Sequence, residues 1–81
     1  MAAPEKLLRL DPGAPDELEM DFLHYEGEEE GVWGTLTGRA RTFKKGSVGY
    51  YINGKISNPA NPDARYQVSC SIVLIGSKKA P

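Results

Sequence analysis

Four stretches of this chain alternate apolar and polar residues with a period of two. Leu18-Glu19-Met20-Asp21-Phe22 is the cleanest, and Leu23-His24-Tyr25 extends it. Val32 to Phe43, rich in Thr and aromatics, places Val32, Leu36 and Ala40 on one parity. Val48 to Ile56 places Val48, Tyr50, Ile52 and Ile56 on one parity. Arg65 to Ile75 sets Tyr66, Val68, Cys70, Ile72 and Leu74 against Gln67, Ser69 and Ser71. Successive side chains of a strand point to opposite faces, so this pattern predicts half-buried strands. A helix over Ala14–Leu23, capped by Asp16, competes with the second segment, but Pro15 and the period of two favour strand. Lys6–Leu10 reads as a short edge strand, giving five segments.

The punctuation between them is turn-like. Asp11-Pro12-Gly13-Ala14-Pro15 separates the first two segments. Glu26-Gly27-Glu28-Glu29-Glu30-Gly31 is an acidic loop bounded by glycines, and Lys44-Lys45-Gly46-Ser47 reads as a hairpin connection. Ser57–Asp63 contains two Asn-Pro steps, each biased to extended or turn geometry. Gly76 ends the last segment. Five short strands in a meander predict a mainly β fold: a small antiparallel five-stranded barrel or a strongly bent sheet, oligonucleotide-binding-like or SH3-like. Gly34, Gly38, Gly49 and Gly54 fall inside or beside strands, where glycine permits the bends that close a barrel.

Length and composition add bounds. Eighty-one residues, 40% hydrophobic and 26% charged, fit one small domain over 1–81 with a limited core. Residues 1–5 and 77–81 are expected to fray. Cys70 is the only cysteine, so no internal disulfide forms. Its parity with Tyr66 and Leu74 predicts that Val68, Cys70 and Ile72 are core residues. The opening MAAPEKLLRL lacks the apolar centre of a secretory signal. The longest apolar run, Ile72–Ile75, is far short of a membrane helix. A cytoplasmic protein without a membrane partner is the expectation.

Charge changes the picture most. Residues 1–30 carry ten acids against two bases, and residues 31–81 carry eight bases against one acid, although the whole chain nets only -1. Such asymmetry points to a partner rather than to a fold. If Val32, Leu36 and Ala40 face the core, the opposite face presents Trp33, Arg39, Arg41 and Phe43. Parity adds Tyr51 and Lys55 from the next strand and Arg65 from the last, with Lys44 and Lys45 on the adjoining loop. Aromatics for base stacking among cations for phosphates are what a single-stranded DNA or RNA platform needs. The same residue types also make an ordinary solvated sheet face. The alternative partner is a basic protein captured by the acidic segment 16–30. Self-association is a third outcome of such polarity.

No enzyme is expected. Lys44-Lys45-Gly46-Ser47 lacks the spacing of a nucleotide-binding loop and no helix is expected to follow it. The Glu26–Glu30 run lacks the pattern of a calcium loop, so neither metal nor cofactor is expected. His24, the only histidine, has no nucleophile–base constellation around it. The phrase Gly49-Tyr50-Tyr51-Ile52-Asn53-Gly54-Lys55-Ile56, followed by Arg65-Tyr66-Gln67-Val68-Ser69, resembles small nucleic-acid-binding barrels in general.

Overall fold

The computed structural model describes residues 3–81 and contains one helix and four strands. They are α1 (Glu5–Leu10), β1 (Glu17–Glu26), β2 (Glu29–Thr42), β3 (Val48–Asn58) and β4 (Asn61–Val73). The strands form a single open antiparallel sheet in the order β1-β2-β3-β4. This overturns the expected five-stranded barrel or strongly bent sheet: β1 and β4 are both edges, and nothing closes the sheet. The first segment is the physical reason. Glu5-Lys6-Leu7-Leu8-Arg9-Leu10 contains strong helix formers and no β-branched residue, with Glu5 in the first turn and Arg9 in the last, each suited to the helix dipole. It coils instead of adding an edge strand. Four strands are then too few to close into a filled barrel.

The turns are tighter than the sequence suggested. The acidic loop shrinks to Gly27-Glu28, with Glu29 and Glu30 already in β2. The two Asn-Pro steps compress to a Pro59-Ala60 turn, with Asn61 and Pro62 in β4. Asn58 holds this turn by accepting the Ala60 N–H at 2.9 Å. Pro62 is tolerated because β4 is an edge strand.

The β1–β2 ladder runs from Glu17–Arg39 to Glu26–Glu29 and shifts register between Phe22 and Leu23, leaving Trp33 as the extra residue of a bulge. The β3–β4 ladder is long, from Gly49–Val73 to Asn58–Asn61. The β2–β3 ladder covers only Arg39–Thr42 opposite Tyr51–Val48. Beyond it the two hairpins remain neighbours through side chains. Ile52 lies over Gly38, Leu36 over Gly54 and Ile56 over Gly34. These glycines do not bend the sheet into a barrel. They leave room for the large residue opposite.

The core is small and sits at one end. Among the described residues, only Ala3, Leu7, Ala14, Val48, Tyr50 and Ile52 are buried hydrophobics. Leu7 of α1 packs on Val48 and Tyr50, with Leu18, Ala40, Ile72 and Leu74 around them. The expected core positions Val68, Cys70 and Ile72 are only half-buried. Their face is the apolar one, but no element covers Val68 and Cys70.

Segments 1–5 and 77–81 both contain residues that hydrogen-bond at this end. The Ala3 N–H donates to Asp16 Oδ1 at 2.7 Å, and Lys6 Nζ donates to the Gly46 carbonyl at 2.8 Å. The Val48 N–H donates to the buried Ser77 hydroxyl at 3.1 Å, and Arg9 donates to the Pro81 carbonyl. Met1 and Ala2 of the first segment lie outside the described residues. The result is an elongated molecule of 47 × 24 × 22 Å.

Candidate nucleic-acid interface

One face of the sheet is polar, and its rows follow from the register. Glu17, Arg39, Tyr51 and Ser71 lie side by side across all four strands. Toward the β1–β2 turn follow Glu19 opposite Thr37, Asn53 opposite Ser69, Asp21 opposite Thr35, and Lys55 opposite Gln67. Hydrogen bonds lace these rows. Thr35 Oγ1 donates to Asp21 Oδ1 at 2.6 Å, Gln67 Nε2 donates to Asn53 Oδ1 at 2.7 Å, and the Tyr51 and Ser69 hydroxyls pair at 2.7 Å.

The densest chemistry lies near the β2–β3 turn. Arg41 faces Gly49, which projects no side chain. The space where a Cβ would stand is taken by the Ile72 carbonyl oxygen. Arg41 lies over two rings at once, with Cζ 5.5 Å from the Phe43 centroid and 5.3 Å from that of Tyr51. Both distances are within cation–π range. Arg39 stands beside them, 3.7 Å from Glu17 in a pair whose side chains are 73% and 51% exposed. So exposed a pair holds Arg39 only weakly. Thr37, Arg39, Arg41, Thr42, Tyr51 and Asn53 line a shallow groove here. The exposed Lys44 and Lys45 follow on the turn.

The structure thus brings together six of the nine expected residues: Arg39, Arg41, Phe43, Lys44, Lys45 and Tyr51. Lys55 and Arg65 share the polar face but lie toward its other end, where Arg65 pairs with Ser57. Trp33 is on the opposite face. The bulge reverses the parity of β2 at that point, so Val32 turns out to solvent, 54% exposed, and Trp33 turns in. Trp33 packs against Tyr66 with ring centroids 5.3 Å apart and meets His24 edge-on, donating its indole N–H to His24 Nδ1. His24 is a half-buried member of this aromatic group.

Sequence reasoning missed the neighbours on β1. Glu17, Glu19 and Asp21 share the polar face with the arginines instead of forming a separate acidic surface. The signal was in the chain: alternation with Leu18, Met20 and Phe22 already sends the acids to the polar side, and antiparallel pairing puts them beside β2. Among the described residues no group of three His, Cys, Asp or Glu is placed to hold a metal ion, and no helix is long and apolar enough to cross a membrane.

Comparison with family models, curated proteins and solved structures gave no match.

One perturbed group lies beneath the site. Tyr50 has its pKa raised, first by burial and then by the Asp11 and Asp16 carboxylates nearby. Its hydroxyl donates to the Pro15 carbonyl at 2.7 Å, tying the segment before β1 to the core. This is a structural hydrogen bond on the apolar face.

Proposed function

We propose that the polar face between β2 and β3 binds single-stranded nucleic acid. The observation that carries this reading is the cluster of Arg41, Phe43 and Tyr51, two half-buried rings bridged by a guanidinium, with Arg39, Lys44 and Lys45 around it. Rings on an open sheet offer stacking surface for bases, and stacking is worth about 1–3 kcal/mol per base. The cations follow the phosphates. An open four-stranded sheet suits this use as well as a barrel does, because the platform is a sheet face in either case. The carboxylates of β1 border the groove on one side and direct a polyanion toward β3 and the Lys44–Lys45 turn.

The test is fluorescence anisotropy of labelled single-stranded oligonucleotides across a salt series. Three or four neutralised phosphates give a slope of log K against log salt of roughly -2 to -3, at about 0.7 per phosphate. Arg39→Ala with Arg41→Ala should weaken binding and flatten the slope. Trp33 fluorescence should stay unchanged, since Trp33 faces the other way. Absence of binding at low salt refutes the proposal.

The protein-module reading has one observation in its favour. Glu26, Glu28, Glu29 and Glu30 cluster, all exposed, at the β1–β2 turn. Under that reading, changing Glu28, Glu29 and Glu30 to Gln abolishes capture of a basic protein and the arginine changes have little effect.

A further inference from the structure

We propose that two copies of this chain pack their apolar sheet faces together, antiparallel along the long axis, so that the β1–β2 turn of each meets the α1 end of the other. The first ground is area. The chain exposes 5939 Å², whereas a folded monomer of its 8.9 kDa exposes about 4,800 Å². The excess, about 1,100 Å², is what one partner contributes to a stable protein interface, about 800 Å² or somewhat more. The radius of gyration agrees: 15.6 Å against about 12 Å for a compact chain of this length. Among the described residues six buried hydrophobics, two of them alanine, are a thin core for a chain that must fold alone.

The second ground is shape. Helix α1 covers the apolar face only around Val48 and Tyr50. The rest of that face carries Met20, Phe22, Leu36, Ile56, Val68 and Cys70, all half-buried, with no element over them. The face is a step, one half raised by the helix and the other bare. Two identical steps fit only head to tail, bare half on bare half, with each helix beyond the other's turn. That is a two-fold, self-complementary contact. Facing sheets at about 10 Å would interdigitate these side chains.

The third ground is charge. The bare end finishes in Glu26, Glu28, Glu29 and Glu30, and the helix end carries Lys6, Arg9, Lys44, Lys45, Lys78 and Lys79 against Glu5, Asp11 and Asp16, an excess of bases. Antiparallel packing brings each acidic turn toward the basic end of the other copy. Parallel packing would set like charges together and collide the helices. A second copy therefore satisfies area, shape and charge at once.

Sedimentation equilibrium of the full chain across a concentration series tests this. The expected mass is twice that of one chain, falling on dilution. Val68→Glu, confirmed folded by circular dichroism, should weaken association by about a hundredfold or more, because it would bury an unpaired carboxylate. High salt should weaken it too. Labelling of the Cys70 thiol in the unmodified protein should slow as concentration rises, a readout that stands even where Val68→Glu fails to fold. A monomeric mass at every concentration overturns the proposal. So does a dimer whose Cys70 labelling ignores concentration, since its interface would then lie elsewhere, as at the β4 edge. A face-packed dimer insensitive to salt overturns the antiparallel arrangement. Each polar face remains outermost in such a dimer, so oligonucleotide binding is scored independently.

Discussion

Gly49→Ala should be the most damaging small substitution in the sheet. An ideal Cβ at position 49 stands 1.9 Å from the Ile72 carbonyl oxygen and 2.9 Å from its carbon. Ordinary carbon–oxygen contact begins at about 3.3 Å, so β3 and β4 would have to part there. The bonds at risk include Leu74 N–H to the Val48 carbonyl, 2.9 Å long, and the flanking residues Val48 and Tyr50 are core. Losing two ladder bonds, at about 0.5–1.5 kcal/mol each, and loosening two buried side chains costs roughly 3–5 kcal/mol. The whole domain has about 4–12 kcal/mol to lose. Gly38→Ala makes a useful contrast. There the Cβ meets Ile52 Cγ1 at 2.7 Å and Cδ1 at 3.0 Å, atoms of a side chain that can rotate. Overpacking of about 1–3 kcal/mol is partly offset by about 0.4–1 kcal/mol from the restricted unfolded chain. Urea unfolding at one fixed protein concentration, followed by circular dichroism, measures both. Combining Gly38→Ala with Ile52→Ala should cost less than the sum of the two, by about 1 kcal/mol. No side-chain change at Ile72 should rescue Gly49→Ala, because the obstacle is backbone. A Gly49→Ala midpoint within about 0.5 kcal/mol of the parent would refute this reading of the β3–β4 approach.

Leu7→Ala should cost about 2–5 kcal/mol in the same assay, since Leu7 is 2% exposed and joins α1 to the sheet. Stability should fall at high pH: the unfolded tyrosine ionises near 10.0 while folded Tyr50, its pKa raised, stays protonated, so the unfolded state releases a proton first. Tyr50→Phe should flatten that alkaline slope of stability against pH, at some cost from the lost bond to Pro15. Hydrogen exchange should be faster on the facing sides of β2 and β3 between residues 34–38 and 52–56 than within either hairpin, because the registered β2–β3 ladder stops at Arg39 and Tyr51.

Period two was legible along most of the sheet. The alternation of β1, β3 and β4 identified both faces, and the Lys44–Ser47 turn stands where the chain places it. Three things were not legible, each for a physical reason. Leu7, Leu8 and Leu10 fall within four residues, too short a run for alternation to tell strand from helix, although the lack of β-branched residues favours the helix. The bulge at Trp33 adds one residue to β2 and reverses the parity upstream of it, so Val32 and Trp33 exchange faces. Barrel closure depends on whether β1 meets β4, a long-range pairing that local alternation does not report. Of the candidate site, the Arg39–Lys45 stretch and Tyr51 were readable because they lie on the correct side of the bulge. The crowding of β1 carboxylates against them follows only from the pairing.

The order of strand pairing also governs how the chain reaches this structure. Each strand pairs only with its neighbour in sequence, so both hairpins can zip from their own turns with little loop-closure entropy to overcome. The joining of distant segments, Lys6 to Gly46, Val48 to Ser77 and Leu7 onto Tyr50, should come late. Changes at Leu7 should then act mainly by accelerating unfolding, and changes in the hairpin turns, such as at Gly27, mainly by slowing folding. The helix end works as a latch on two preformed hairpins, and the lifetime of the folded chain is set by how long that latch holds.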